Sequence, residues 1–173
     1  TNADSLTHFE IEGRKQAIQA IEALRRFAPG CSNARLRNFG MTIGIRDTRK
    51  IDAIYNLTEE NVRGQAKFED SIGIFPEFID GYGVLILPTT GRYMQIPYRS
   101  ILPKKISNLL VVGRAIGGDK IAHASTRNMA CCVVTGQGGG IAAALSVKSG
   151  KLLNEVNMTN LQKELQIQNV RFS

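Results

Sequence analysis

The side chains best suited to chemistry fall in a few short stretches of the 173 residues. His123, Ser125 and Arg127 alternate at the start of a long apolar run, just before or within the first turn of the helix that the run predicts. Unpaired backbone N–H groups and the positive end of a helix dipole favour an anionic group there. Ordinary capping by Ser125 or Thr126 accounts for those two hydroxyls equally well. A Ser–His nucleophile pair is allowed by spacing but has no nucleophile-elbow sequence around it. Arg46 and Arg49 flank Asp47-Thr48. A solvated turn explains them, and two guanidiniums three residues apart can also clamp a carboxylate or phosphate.

Cys131 and Cys132 are adjacent, and a disulfide between neighbours closes a strained ring. On a predicted apolar helix they read as small buried hydrophobes. With Cys31 they make three cysteines, too few and too badly spaced for a disulfide framework or a zinc site. No metal is expected, and a reduced intracellular compartment fits this usage.

Two nucleotide motifs come close and fail. Gly113 to Gly118 supplies the first six positions of a phosphate-binding P-loop, but Asp119 stands where the lysine belongs, Lys120 comes one place late, and Ile121 follows it in place of the magnesium-binding hydroxyl. A carboxylate would then face the phosphates. Gly136-Gln137-Gly138 opens like a dinucleotide fingerprint, yet Ile141 occupies its last glycine position.

The elements that must position these residues follow from periodicity. Thr7 and Glu10 have capping-box spacing, with Leu6 and Ile11 as the staple, which predicts a helix from near His8. Ile18, Ile21, Leu24 and Ala28 give it an apolar stripe for packing, and Pro29-Gly30 stops it. Period-two patterns over Met41–Ile45 and Ile51–Leu57, around the polar interruption 46–50, read as strand segments. Val84–Leu87 and Tyr93–Tyr98 read as short strands too, so residues 40–100 form a mostly β region.

Leu109–Val112 is continuously apolar, as for a strand covered on both faces. A glycine loop follows, then a helix from about Thr126 to Val147. Its interior glycines Gly136, Gly138, Gly139 and Gly140 each cost about 1 kcal/mol relative to alanine. A neighbour approaching too closely for a Cβ would offset that cost. Leu161, Leu165 and Val170 mark a final docking helix. The fold class is α/β, in its mixed α+β form.

Composition bounds the function. The formal net charge of +7 attracts anions without choosing among nucleic acid, anionic lipid and phosphate-bearing small molecules. The basic residues are scattered and there is no tryptophan, so a nucleic-acid platform is disfavoured. No run of about 18 uninterrupted apolar residues exists, so a membrane span is not expected. The start Thr1-Asn2-Ala3-Asp4 has no basic, apolar leader, so any targeting segment is expected to be absent or already removed.

In this order the pieces resemble a known family. The segments EIEGRKQAIQAIEALRRFAPG (10–30), IGIRDTRKIDAIYNLT (43–58), IPYRSILPKKISNLLVVGRAIGGDKIAHASTRNMACCVVTGQGGGIAAAL (96–145) and LQKELQ (161–166) together resemble the C-terminal half of FAD-dependent oxidoreductases. These are related to fumarate-reductase-type and other glutathione-reductase-like flavoproteins. The resemblance runs from about residue 6 to residue 170.

It implies a helix and β-rich cap region over 1–100, a return to a Rossmann-like FAD domain over 101–150, and a docking helix and tail over 151–173. It places Gly113, Arg114 and Ala115 beside the cofactor. The helix start at Ser125, Thr126, Arg127, Asn128 and Met129 would face the flavin pyrimidine edge. Arg46, Arg49, His123 and Arg127 become candidates to orient an anionic small-molecule substrate during hydride transfer.

The family's N-terminal glycine fingerprint is missing from these residues. The expectation is therefore a fragment that binds FAD weakly by itself, lacks its N-terminal FAD-binding segment, is inactive alone and is prone to self-association. The rival expectation is a non-catalytic basic module that binds an acidic partner or nucleic acid.

Overall fold

Asn2 opens helix α1 (Ala3–Phe27), its side chain accepting the Ser5 N–H at 2.8 Å. The helix thus begins five residues before the expected point. Thr7 and Glu10 do not form the capping box: the Thr7 hydroxyl donates back to the Ala3 carbonyl (3.0 Å), and the Glu10 carboxylate accepts the Ile43 N–H (2.7 Å). The expected stop holds, with Ala28 as C-cap and Gly30 at φ +80°. A coil returns along the helix, tied by Arg25 Nε to the Ala34 carbonyl (2.6 Å) and by Arg14 over the Phe39 ring.

The described residues 2–172 of this computed structural model form two units, Thr1–Thr48 and Arg49–Ser173. In the first, no described residue is buried. Of the α1 stripe read from sequence as a packing face, Ile18 and Leu24 are exposed and Ile21 and Ala28 only partly covered; Phe9, Ile11 and Phe27 of the same helix are exposed as well.

The second unit holds the core. Helix α2 (Glu59–Arg63) is followed by strands β1 (Ser71–Pro76), β2 (Ile79–Gly81), β3 (Val84–Ile86) and β4 (Tyr93–Pro97). β1 pairs antiparallel with β4, and β2 with β3. Tyr82 and Gly83, both at positive φ, make the two-residue β2–β3 turn, whose handedness matches strand twist. The expected strands at 84–87 and 93–98 are therefore present within a residue, and β1 and β2 are additions.

The strand segments expected at 41–45 and 51–57 are not strands. The second stretch makes only isolated bridges, Ala53 to Pro103 and Leu57 to Gly118. Asn56 Oδ1 accepts the Ala53 N–H and its amide reaches Asp52, so polar side chains curl the backbone out of a ladder. Leu109–Val112 is likewise no strand: Val111 N–H donates to Ile101 O (3.0 Å), and Leu109 and Val112 are exposed. A continuous apolar run predicts two covered faces only when neighbouring strands are there to cover them.

The chain then forms helices α3 (Lys120–Thr126), α4 (Met129–Ser149) and α5 (Met158–Ile167). α4 packs on β1 and α5, and Leu161 and Leu165 of α5 are fully buried with Ile72, Met94, Ile96 and Ile101. The docking-helix expectation holds. By length and a mean hydropathy of 1.5, α4 meets the composition of a membrane span. Thr135 and Gln137 interrupt its apolar run. Its packing on β1 fits the core helix of a globular unit.

Two of its glycines are explained by crowding: a Cβ on Gly138 would meet Ile72 at 2.9 Å, and one on Gly139 would meet Val112 at 2.7 Å. Gly136 and Gly140 face open space.

Buried Tyr98 donates its hydroxyl to Leu153 O at 2.8 Å, and burial pushes its pKa up from 10.0 to about 12. The native state thus resists ionisation that the unfolded chain accepts, so this contribution is intact below pH 10 and lost as pH rises toward 12. Tyr98→Phe is expected to lower stability at pH 8 by about 1 kcal/mol and to flatten the decline above pH 10. Urea titrations across that range would refute the assignment if the alkaline slope were unchanged.

Candidate cofactor-facing site

The helix start expected at Ser125–Arg127 is two helices meeting at a break. Asp119 caps α3, its Oδ1 accepting the Ala122 N–H (2.8 Å), while its other oxygen accepts the Glu59 N–H (2.9 Å) at the start of α2. Asn128 ends α3 and begins α4: its side-chain amide donates to the carbonyls of Ser125 (2.7 Å) and Ala124 (3.3 Å), and its backbone turns extended.

Ser125 and Thr126 consequently lie in the last turn of α3, not the first turn of the long helix, and with His123 they are buried. Capping by either hydroxyl, the plainer sequence reading, is also absent. Ser125 Oγ has no hydrogen-bond partner among the described residues.

The long helix begins at Met129, and its amino end has no side-chain cap, because the Asn128 amide is committed to α3. Met129 and Ala130 are exposed. Behind this end, Gly113 at φ +74° opens a 3-10 turn over Gly113–Ala115. Its N–H donates to Thr135 Oγ1 (3.0 Å), whose hydroxyl donates to Cys132 O (3.0 Å). A Cβ on Gly113 would lie 3.9 Å from Cys132 Sγ. The α4 amino end and the Gly113–Ala115 turn are thus one assembly.

Burial pushes the Cys131 thiol up. It does the same to Cys132, against an opposing pull from Arg114. Both cysteines are free, and Cys131 is fully buried, as a small hydrophobe should be.

Arg127 sits at the break with its side chain largely covered. Its guanidinium donates to Asp80 O at 2.5 Å and lies 3.5 Å from the Asp80 carboxylate. This joins the β2–β3 hairpin to the α3–α4 junction. Arg49 is exposed, two residues before Ile51, whose N–H donates to Ala115 O (3.0 Å). Arg46, also exposed, belongs to the first unit.

Asp80, Asp119 and Thr135 were not singled out as site-building residues from sequence. Only Asp119, by its N-cap position before Lys120, carried a local signal. The glycine loop cradles protein, not phosphate: Gly117 O accepts the Leu57 N–H (3.1 Å), and Gly117 N–H donates to Ser100 O (2.9 Å). Among the described residues no group of three His, Cys, Asp or Glu side chains could hold a metal.

A family model for FAD-dependent oxidoreductases matches residues 1–165. The chain belongs to the FAD-dependent oxidoreductase family. No curated protein and no solved structure matches it. Membership makes it a flavoprotein oxidoreductase by family, with FAD the implied cofactor.

The residues of this FAD-dependent oxidoreductase chain fit that group in two respects. The uncapped α4 end presents N–H groups that suit an electron-rich ring edge, and Gly113, lacking a side chain, allows close approach. The glycine loop at Gly117-Gly118 does not serve as a pyrophosphate turn, since Ala53, Tyr55 and Asn56 fill the space beside Gly117.

Proposed function

We propose that this chain is the C-terminal portion of an FAD-dependent oxidoreductase that moves a hydride between a small anionic substrate and flavin. The observation that carries the reading is the uncapped amino end of α4 beside the Gly113–Ala115 turn. Bound FAD would supply a two-electron acceptor whose reduced ring carries negative charge at its pyrimidine edge. The N–H groups of Met129, Ala130 and Cys131 would stabilise that charge, since none has a partner inside its own helix. Arg127, held by Asp80, would orient the substrate from the other side of the break, with Arg49 as a further anion-orienting candidate. His123 is the remaining candidate, and its burial in α3 makes a role through neighbouring groups the more direct one.

The partner of this chain would be an N-terminal FAD-binding segment. Two features support it: the extended apolar stretch Leu109–Val112 without a strand beside it, and an α4 face where Met129, Val133 and Val147 are exposed and Gly136 and Gly140 face open space. Both suit a sheet and backbone approaching closely.

The test joins the chain to the FAD-binding βαβ segment of a family member and measures flavin absorbance per chain. One equivalent in the fusion and weak binding by the separate chain are expected. Gly136→Ala with Gly140→Ala should stabilise α4 in the separate chain by about 1 kcal/mol each yet reduce flavin loading in the fusion. A soluble, folded fusion without flavin would overturn the proposal, as would loading indifferent to the two alanines for the docking face.

A further inference from the structure

Away from the residues around the α4 amino end, a separate cavity lies between the stretch carrying Asp52–Ile54, the segment Leu102–Ser107 and Asn154. It holds about 190 Å³, somewhat more than the cavity of about 150 Å³ that accommodates benzene in an engineered protein core.

Backbone bonds tie its base together. Ile54 N–H donates to Leu102 O (2.8 Å) and Lys104 N–H to Asp52 O (3.0 Å), on either side of the Ala53–Pro103 bridge. Asn154 sits in the 3-10 turn Leu153–Glu155, which the Tyr98 hydroxyl anchors through Leu153 O. These bonds tie the stretch at Asp52–Ile54 to Leu102–Lys104 and anchor the turn carrying Asn154, while Lys104 to Ser107 form the exposed rim.

The lining is amphipathic in a specific way. Ile54, Leu102 and Ile106 supply apolar surface, while Lys104, Lys105, Ser107 and Asn154 supply polar groups. Asp52 Oδ1 takes Lys104 Nζ at 2.7 Å. This leaves Lys105 as a second ammonium on the same rim, so the charges do not cancel. The local field has an independent marker: the Asp52 carboxyl is held below its ordinary range, chiefly by its bonds to Lys104 and Asn56, with Lys105 adding to the pull.

We infer that this cavity binds a small aliphatic carboxylate, its hydrocarbon part on Ile54, Leu102 and Ile106 and its carboxylate at Lys105, with Ser107 and Asn154 as hydrogen-bonding neighbours. The site has no part in the proposed redox chemistry and stands or falls separately from it. A carboxylate suits both halves of the lining, whereas inorganic phosphate would leave the apolar half unused and a neutral alcohol would leave the ammonium unpaired.

The probe is hexanoate, titrated into the chain and followed by amide and methyl chemical shifts, with hexanol and inorganic phosphate as controls. Saturable shifts at Ile54 and Ile106 are expected, with at least tenfold weaker binding of both controls. Lys105→Gln should weaken hexanoate about tenfold without altering thermal stability, since Lys105 is exposed. Ile106→Ser, also at an exposed residue, should weaken it through the apolar half. Absence of saturation by hexanoate, equal binding of hexanol, or full affinity in Lys105→Gln would each overturn the inference.

Discussion

Replacing Gly117 with alanine is expected to destabilise the second unit by roughly 3 kcal/mol, at the upper end of what overpacking costs. The added methyl would lie 2.4 Å from Ala53 Cβ and 2.6 Å from Asn56 Oδ1, distances at which something must move. Little can. Gly117 is held on both sides, its N–H on Ser100 O and its carbonyl on Leu57 N–H. Ala53, which it presses against, is fully buried. Displacing the loop would also pull Asp119 from the two helix starts it caps. Chemical denaturation, with Gly136→Ala as a control at an open position, measures the difference. A loss below about 1 kcal/mol would mean that the loop relaxes freely and that Gly117 is not a packing requirement.

Arg127→Ala, made in a flavin-loaded protein containing this chain, is expected to slow flavin reduction by substrate about a hundredfold, the scale on which small misplacements of reacting groups are felt. Arg127 joins the β2–β3 hairpin to the break before α4, so its removal would loosen both the hairpin and the orientation of whatever lies over the α4 end. Stopped-flow reduction separates the possibilities. A lower rate at saturating substrate marks orientation in the transition state, and a raised KM alone marks uniform binding. Arg127→Lys, which keeps charge without the planar fork, should recover only part of the rate. An unchanged rate and KM would remove Arg127 from the site.

Much of the architecture was legible in local chemistry. Strands β3 and β4 and helix α5 are legible from period and turn residues because each carries its own signal: the apolar Val84–Leu87 closed by the turn-forming Pro88 and Gly91, the pattern in Tyr93–Pro97, and leucines four apart at Leu161 and Leu165. The crowding that makes Gly138 and Gly139 necessary was also foreshadowed, since glycines inside a helix imply a close neighbour. Where the reading failed, the deciding partner lay far along the chain. Met41–Ile45 and Ile51–Leu57 alternate like strands, but a strand also needs a ladder, and only isolated bridges form. Thr7 and Glu10 have a cap's spacing, yet Asn2, with Asp4 in the first turn, starts the helix sooner, and Glu10 is drawn to Ile43.

The candidate site shows the same division. A helix start near residue 127 and the glycine loop after Val112 follow from sequence alone, because these are properties of short contiguous segments; the place of Gly113–Ala115 beside a cofactor is what the family resemblance implies, and the nearness of that turn to α4 is a contact across 22 residues. The long helix begins at Met129 and not at Ser125 because the Asn128 amide satisfies the carbonyls of α3 while its backbone turns away, leaving the amino end of α4 uncapped. The tie of Arg127 to Asp80 and the bridging of two helix starts by Asp119 span 47 and 60 residues of chain. Periodicity records which face of a segment is apolar. It carries no information on which distant backbone group a particular side chain will satisfy, and that choice was made by tertiary packing.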